Sequence, residues 1–276
     1  MKRVLITGAA SGLGAQLAHR FADAGYAVCV ADLQQEAGEK VVAELQGKGC
    51  ESFFFPLNVT SDEQWLALVN AVQQRWGGID CIINNAGVAA SGFIEDLPMK
   101  DWQWLLDINL MGVVRGCYHF TPMLRKTKGR IINIASMAGL VYAPTMSAYN
   151  ASKAAVVALS ETLKVELAED GVAVSVVCPA FFRTNLGSSM RSTIPNIQNS
   201  LNKLMDGSGI TAADVADQVY RDSHAGKFFI LTHAKERWFW RIKRFSPDFF
   251  HSLLRKQWQR SLKIRAADAV KKQGAA

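Results

Sequence analysis

Tyr149 and Lys153 stand four residues apart, in a stretch from 147 to 170 that contains neither glycine nor proline. On a helix this spacing puts both side chains on one face. A free phenol, with a pKa of about 10, is a poor acid or base at neutral pH, but a neighbouring ammonium favours the phenolate. The pair has the composition of a proton-transfer site. Most such pairs are simply a half-buried tyrosine beside a solvated lysine, so other residues must decide.

A glycine-rich turn near the amino terminus has the pattern of a phosphate-binding loop. It runs from residue 7 to 14 and joins a strand-like apolar run to a helix-like segment. Glycines let the backbone approach a pyrophosphate, and a helix N-terminus supplies free N–H groups and a positive dipole. The predicted cofactor contacts in this turn are Thr7, Gly8, Ser11, Gly12, Leu13 and Gly14.

Asp32 ends the second apolar run, 18 residues beyond Gly14. A carboxylate there can accept hydrogen bonds from the two hydroxyls of an adenosine ribose, and it would repel a 2′-phosphate. Neither Ser11 nor Leu33 brings a cation that would compensate for its charge. The turn and Asp32 therefore predict a dinucleotide cofactor, NAD rather than NADP. The alternative for Asp32 alone is a solvated carboxylate in a turn.

Amides and small residues follow the next two predicted strands, where ligands bind in open α/β sheets. The candidate cofactor contacts at these strand ends are Asn58, Val59, Asn85, Ala86 and Gly87. A plain turn is the alternative at each place. Asn109 lies in a mostly apolar helical segment, where an amide needs a partner. Ser136 directly follows the fifth strand-like run.

Seven apolar runs of strand length alternate with helical segments. They lie at 3–7, 27–31, 51–57, 79–83, 130–135, 172–177 and 227–232. Continuous apolar strands between helices are typical of a parallel sheet that is covered on both faces. The pattern predicts the α/β class, with a single Rossmann-type doubly wound domain and a seven-stranded parallel sheet over residues 1–233. Residues 234–276 form a predicted helical extension.

The composition bounds the remaining possibilities. Of the 276 residues, 49% are apolar, enough for a sizeable core. No apolar run is long enough to cross a bilayer, and no Cys or His cluster has metal-ligand spacing, so the sequence predicts neither a membrane span nor a metal site. The five scattered cysteines, of which Cys29, Cys81 and Cys178 lie in strand-like runs, favour a reducing, cytoplasmic compartment.

These motifs together resemble the short-chain dehydrogenase/reductase family, in its compact single-domain branch. The resemblance covers about residues 3–233, where the motifs occur in the family's order and spacing. It implies an NAD-dependent oxidoreductase that interconverts an alcohol and its carbonyl. Two positions depart from the commonest pattern: Asn58 replaces an aspartate that contacts the adenine, and Ala180 replaces the glycine after Pro179. The second change is expected to alter the loop over the nicotinamide.

The resemblance also implies catalytic roles. Tyr149 is the expected acid or base toward the substrate oxygen, and Lys153 is expected to lower its pKa and to hold the nicotinamide ribose. Ser136 is expected to position the substrate oxygen. Asn109 is expected to hold a water that links Lys153 to solvent. Metal is not part of this scheme.

The loop between 181 and 209 is rich in Ser, Asn, Met and Gly. In this family the region closes over the substrate, and Pro179 and Thr184 at its start are expected to fix the nicotinamide carboxamide. Its apolar side chains predict a lipophilic alcohol or ketone, such as a lipid, steroid-like or retinoid-like molecule. These side chains are Phe181, Phe182, Leu186, Met190, Ile194, Ile197, Leu201, Leu204 and Met205.

The excess positive charge of the chain lies in the extension. Residues 234–276 contain 12 Lys and Arg against 3 Asp and Glu, whereas the rest contains 19 against 21. Basic and aromatic residues alternate over 237–245, and a helix is predicted to start at Pro247. The apolar positions that recur every four residues on it are Phe250, Leu254, Trp258 and Leu262. Docking on the domain or a second subunit, and attachment to the inner face of a membrane, are both open, whereas no motif predicts a nucleic acid partner.

Two further expectations complete the prediction. Family members commonly form homodimers or homotetramers, and an alanine face at Ala151, Ala154 and Ala155 would permit close approach of paired helices. The alternative function is a non-catalytic NAD(H)-binding sensor on the same fold. The complete set of four polar residues, 109, 136, 149 and 153, argues for the enzyme.

Overall fold

A computed structural model of the chain describes residues 1–183, 187, 189–195, 197, 199 and 205–273, with the side chains of 235, 236 and 263–273 excepted. The chain divides into two compact units, Met1–Thr232 and His233–Ala276. The first unit holds the predicted sheet and the candidate site. The second holds two helices that follow it along the chain.

The strands of the first unit are β1 (Lys2–Thr7), β2 (Tyr26–Asp32), β3 (Ser52–Pro56), β4 (Cys81–Asn84), β5 (Ala90–Ser91), β6 (Arg130–Ile134), β7 (Ala173–Val177), β8 (Arg191–Ser192) and β9 (Phe229–Ile230). Seven of them form one parallel sheet in the order β3-β2-β1-β4-β6-β7-β9. This confirms the predicted seven-stranded doubly wound sheet. The short strands β5 and β8 pair separately.

The helices of the first unit are α1 (Gly12–Asp23), α2 (Gln35–Gly47), α3 (Asp62–Trp76), α4 (Met99–Leu106), α5 (Gly112–Thr127), α6 (Ser147–Glu166) and α7 (Ala212–His224). Local sequence explains their ends. The hydroxyl of Ser61 accepts the N–H of Gln64 at the start of α3, and Gly77 ends that helix with a left-handed φ of 69°. The helical segment predicted around Asn109 contains a π-helical turn, Asp107–Met111, which includes Asn109 itself.

The core lies on both faces of the sheet. The first two strands are buried along nearly their whole length, and Cys29, Cys81 and Cys178 are fully buried, as their apolar surroundings predict. Phe182 also packs into this core, against residues of α1 and α7. Its predicted place in a substrate lid is therefore wrong, because the ring is sequestered with the main cluster.

The second unit consists of α8 (Ala234–Phe245) and α9 (Pro247–Gln273), which Ser246 separates. The helix that the sequence predicts to start at Pro247 does start there. Across the described residues, no helix is both long and apolar enough to cross a membrane.

Candidate active site

The glycine turn lies between β1 and α1, at the carboxyl edge of the sheet. Gly8 and Gly12 have φ values of 64° and 54°, which L-residues rarely adopt. A Cβ at Gly14 would lie 2.0 Å from the carbonyl oxygen of Gly8, so the turn closes only around a glycine. Ser11 is extended and makes no side-chain hydrogen bond to the helix, while Leu13 is buried in the core. The turn is a narrow backbone cradle at a helix N-terminus, which fits a dinucleotide pyrophosphate.

Thr7 and Asn85 tie this turn to the end of β4. The Thr7 hydroxyl oxygen accepts the backbone N–H groups of Asn85 and Ala86, each at 3.0 Å. In return, Asn85 Nδ2 donates to the carbonyl oxygens of Thr7 and Gly8, at 2.9 and 3.1 Å. The structure thus gives these two side chains a positioning role, because they hold the two strand ends together.

Asp32 stands at the end of the neighbouring strand and is only 8% exposed. Its Oδ2 accepts the N–H of Ala10 at 2.9 Å, and its Oδ1 accepts the N–H of Gln34 at 3.0 Å. Each carboxylate oxygen has a second lone pair, so both can still accept a ribose hydroxyl. Leu33 beside it is 68% exposed and uncharged. Asp32 thus keeps acceptor sites open at this strand end, and its role toward a ribose diol stays a prediction.

Asn58 and Val59 lie beyond β3. The side-chain oxygen of Asn58 accepts the N–H and the hydroxyl of Thr60, at 3.0 and 2.8 Å. Val59 is buried, and its carbonyl accepts the indole N–H of Trp65 at 3.1 Å. The Asn58 oxygen therefore builds its own turn, so the predicted contact with an adenine is left to its NH2 group.

The catalytic candidates converge at the start of α6. Tyr149 is 7% exposed, and the side chain of Ser136 lies close enough to its phenol to lower its pKa. Lys153 lies one helical turn further, with its Nζ 5.9 Å from the centre of the tyrosine ring. This Nζ donates to the carbonyl oxygen of Ile134 at 2.9 Å. The helix places both side chains on one face, as their spacing predicts.

Burial dominates the electrostatics of this pair. It raises the pKa of Tyr149 to about 12, against a smaller lowering by the nearby hydroxyl of Ser136. It also lowers the pKa of Lys153 to about 8. In the polypeptide by itself, burial is thus the largest influence on this pKa; the lowering expected from Lys153 together with a cationic nicotinamide ring stays a prediction.

Asn109 joins the two halves of the site. Its Nδ2 donates to the carbonyl oxygen of Val88 and to the Ser152 hydroxyl, at 2.9 and 3.3 Å, and its Oδ1 accepts the N–H of Val88 at 2.8 Å. Both amide donors are therefore used, which leaves the second lone pair of Oδ1 or the backbone to hold the predicted water. Gly87 is packed against this amide and Lys153: a Cβ on it would lie 3.2 Å from Oδ1 and 3.5 Å from Nζ.

Pro179 lies beside Ser136. Its carbonyl oxygen accepts the N–H of Met137 at 2.9 Å and the Ser136 hydroxyl at 3.4 Å. Thr184, the other predicted carboxamide contact, lies outside the described residues, as do the lid positions 186, 201 and 204. The structure thus brings the glycine turn, Asn109, Ser136, Tyr149, Lys153 and Pro179 together at one edge of the sheet.

An apolar cluster covers the flank of Tyr149. Its other buried members are Ala89, Ala90, Leu97, Leu105 and Ala148, with Met146, Met190 and others packed against them. The segment 189–195 is joined to this wall through the pairing of β5 with β8. The N–H of Arg191 donates to Ala89 at 3.2 Å, and that of Thr193 donates to Ser91 at 3.1 Å. Part of the predicted lid is therefore attached to the wall beside Tyr149.

Arg191 also fastens this segment through its side chain. Its Nη1 lies 2.7 Å from Asp101 Oδ1, and its guanidinium carbon lies 3.8 Å from the centre of the Trp104 ring. Both partners belong to α4, some ninety residues earlier in the chain. Sequence reasoning missed this contact, because nothing local links an arginine in a polar loop to an aspartate so far away.

A buried polar chain under the site was also missed. Asn84 Nδ2 donates to Asn133 Oδ1 at 2.8 Å, Asn133 Nδ2 donates to the Ser160 hydroxyl at 3.0 Å, and that hydroxyl donates to the carbonyl of Val156 at 2.7 Å. The first two residues are cross-strand partners on β4 and β6. An amide within each of two apolar strands is the signal that would have predicted the chain, since buried amides require partners.

Comparison with known proteins agrees with this geometry. A family model described as short chain dehydrogenase matches residues 2–195. The "CLA biosynthesis dehydrogenase/reductase" of Lactiplantibacillus plantarum is 33% identical over 251 residues, which cover 84% of this chain and 88% of that protein.

Two solved structures extend the likeness to cofactor complexes. A short chain dehydrogenase/reductase from Burkholderia phymatum in complex with NAD is 32% identical with a TM-score of 0.84, and the match covers 90% of this chain and 94% of that one. An alcohol dehydrogenase from the archaeon Thermococcus sibiricus complexed with 5-hydroxy-NADP is 27% identical with a TM-score of 0.66, covering 75% and 91%. Both kinds of nicotinamide cofactor therefore occur among the similar structures.

Proposed function

The chain belongs to the short-chain dehydrogenase/reductase family, and we propose that it interconverts a secondary or primary alcohol and its carbonyl on a lipophilic substrate, with NAD as the hydride carrier. One observation carries the proposal. The buried Tyr149 lies beside Ser136, one helical turn from Lys153, and close to a glycine cradle that fits a dinucleotide.

The chain's own residues handle the proton. When bound, the nicotinamide ring exchanges a hydride with the substrate carbon. Tyr149 gives its proton to a carbonyl oxygen, or takes one from a hydroxyl in the reverse direction. Ser136 steadies the same oxygen through a hydrogen bond. Lys153, with a pKa of about 8, is mostly protonated at neutral pH, so it places a positive charge near the phenol and can hold ribose hydroxyls.

The raised pKa of Tyr149 determines which direction of the reaction, reduction or oxidation, is easier at neutral pH. At neutral pH the phenol form dominates, because burial raises its pKa to about 12. The residue is therefore ready as an acid toward a carbonyl. Oxidation needs the phenolate, which Lys153 and a cationic ring would stabilise. We expect oxidation of an alcohol to accelerate as the pH rises from neutral, and reduction of a ketone to slow.

NAD is proposed over NADP because of Asp32. Its carboxylate has free lone pairs for a ribose diol and braces the glycine turn through Ala10. A 2′-phosphate would meet this negative charge. The preference is tested by comparing kcat/KM for the two cofactors with one substrate.

The proposal of a lipophilic substrate is based on the apolar cluster beside Tyr149. The cluster there is built from aliphatic, aromatic and methionine side chains, and Met190 of the attached segment packs against it. Such a surface gains free energy from contact with an alkyl or ring carbon skeleton. The name of the relative from L. plantarum, which refers to CLA biosynthesis, is compatible with this class.

A homodimer or homotetramer is part of the proposal. The outer faces of α5 and α6 expose apolar side chains, with Tyr118 and Val165 each 75% exposed and Ala151 exposed near the start of α6. Large apolar side chains on adjacent helices are typical of a surface that a second subunit covers. Sedimentation velocity on the purified chain tests this directly.

The experiment that tests the function measures NADH formation with alcohols of increasing chain length, with sterols and with retinoids. We expect kcat/KM to rise with chain length for at least one series. The reverse reaction on the matching ketones should consume NADH. Tight NADH binding without turnover of any member would instead identify a non-catalytic sensor.

A further inference from the structure

The second unit exposes apolar and basic side chains on one side of each of its two helices. Two exposed apolar residues on α8 are Trp238 and Phe245, at 65% and 83%, and the first two on α9 are Phe249 and Leu253, at 60% and 40%. The spacings of seven and four residues put each pair on one helix face. Monomeric proteins rarely leave several large apolar side chains so open on neighbouring helices.

Cations share these two faces. Arg241 lies between Trp238 and Phe245 on α8, and Lys256 and Arg260 continue the line of Phe249 and Leu253 on α9, all of them exposed. We call these seven residues the aromatic-basic face. It contains no acidic residue, although Asp248 lies next to it in the first turn of α9.

The aromatic-basic face is distinct from the apolar positions that recur every four residues on α9. Among those positions, Phe250 is 3% exposed and Leu254 and Trp258 are half-buried, while Leu262 is 41% exposed. Three of the four are therefore already covered. The exposed face is a second apolar surface, about a third of a turn away around the same helix.

We propose that the aromatic-basic face binds the surface of an anionic lipid bilayer. Trp and Phe favour the boundary between headgroups and acyl chains, and Lys and Arg beside them pair with anionic headgroups. Each such cation is attracted to a negatively charged leaflet, within about a Debye length of its surface. The helix that bears them is too polar to span the bilayer, so the unit would lie on the surface.

The charge balance favours a membrane over a second copy of this face. The unit from 234 to 276 carries 12 basic against 3 acidic residues. Two such units would repel each other, whereas an anionic bilayer attracts each one. Surface attachment would also bring the first unit close to lipophilic molecules. The inference itself does not depend on the proposed reaction, since it uses none of the residues of the candidate active site.

The test is co-sedimentation of the full chain with vesicles of phosphatidylcholine alone or of equal parts phosphatidylcholine and phosphatidylglycerol. We expect binding to the anionic vesicles only, weakening as salt is raised. The double variant Trp238→Ser/Phe249→Ser should lose at least about tenfold in partition coefficient, because two exposed aromatic rings no longer enter the interface. Leu66→Ser, at a 55% exposed leucine on α3, is the matched control and should bind normally.

Two double charge-reversal variants isolate the electrostatic contribution to vesicle binding. Arg241→Glu/Lys256→Glu should weaken anionic-vesicle binding strongly, whereas Lys40→Glu/Lys100→Glu, which changes the net charge equally at exposed sites of the first unit, should retain most of it. Oxidoreductase activity on a water-soluble alcohol should be the same in all these variants. The proposal is overturned if the wild type ignores anionic vesicles, or if the face variants bind like the controls. If the wild type does not bind vesicles and the face variants instead lose self-association or nucleic acid binding, the face has a different partner and the proposal is overturned.

Discussion

The two ends of the candidate site are built in opposite ways. At the cofactor end, backbone groups and short polar side chains fix one another, as Thr7, Asp32 and Asn85 do around the glycine turn. At the proposed substrate end, aliphatic, aromatic and methionine side chains form the wall, and the segment 189–195 is attached by two backbone hydrogen bonds and the contacts of Arg191. The first end is specified by close backbone approach, whereas the second is specified by packing.

The two kinds of construction predict different consequences of substitution. A change at the cofactor end alters a geometry that every turnover uses, so it should affect cofactor binding whatever the substrate. A change at the substrate end alters the shape or closure of an apolar surface, so it should act mainly on KM. The following variants test that division.

Gly14→Ala should have the largest effect. Its Cβ would lie 2.0 Å from the Gly8 carbonyl oxygen, so the turn must open and the phosphate cradle is lost. We expect the NADH dissociation constant to rise at least a hundredfold, measured by fluorescence titration. Gly47→Ala, at a glycine with open space around it, is the control and should bind NADH normally. Normal NADH binding by Gly14→Ala would show that the glycine turn does not bind the cofactor phosphates.

Asp32→Asn should change cofactor choice by about ten- to a hundredfold. The variant keeps the size of the side chain but loses the charge that strengthens hydrogen bonds to a ribose diol and repels a 2′-phosphate. The measurement is the ratio of kcat/KM for NAD to that for NADP, with one substrate. An unchanged ratio would mean that other residues set the preference.

Arg191→Ala should act on the substrate end alone. Without the guanidinium, the segment 189–195 loses its contacts with Asp101 and Trp104, so the lid closes less readily over the substrate. We expect KM to rise severalfold to about tenfold, with little change in kcat or NADH affinity, since such partly exposed contacts contribute on the order of 1 kcal/mol. Arg125→Ala, which removes an exposed ion pair with Asp170, is the control. A loss of NADH affinity in Arg191→Ala would contradict the separation of the two ends.

The smallest predicted effect is a change in stability, which is measured with Lys153→Met in unfolding experiments and not in turnover. At pH 7 the folded wild type carries a buried ammonium, whose pKa burial lowers to about 8 from 10.5. As pH rises through 8, the folded state loses this proton before the unfolded state does, so the wild type gains stability. We expect the free energy of unfolding of the wild type, relative to Lys153→Met, to increase by roughly 1 kcal/mol between pH 7 and pH 9. The buried thiols cancel in this difference, and a constant gap would contradict the lowered pKa.

The sequence alone was sufficient for the sheet and for most of the cofactor end. Apolar strands, a glycine turn and a carboxylate at fixed spacing are determined by short stretches of sequence, so they can be predicted from local patterns. The packing at the proposed substrate end could not be predicted from local patterns. Phe182 belongs to the core and Arg191 reaches α4, and both depend on tertiary packing between distant segments. The raised pKa of Tyr149 was missed for the same reason, since burial is a property of the whole fold.

The central claim is that Tyr149 transfers the proton in a reaction whose hydride the bound nicotinamide carries. It is tested most directly with Tyr149→Phe, which keeps the ring but removes the hydroxyl, by measuring NADH binding and turnover of the best alcohol in parallel. We predict unchanged NADH affinity and a loss of turnover of about 10²–10⁴-fold, the usual contribution of acid–base catalysis. A variant that binds NADH and keeps more than roughly a tenth of wild-type turnover would contradict the claim, because a loss that small lies below this range.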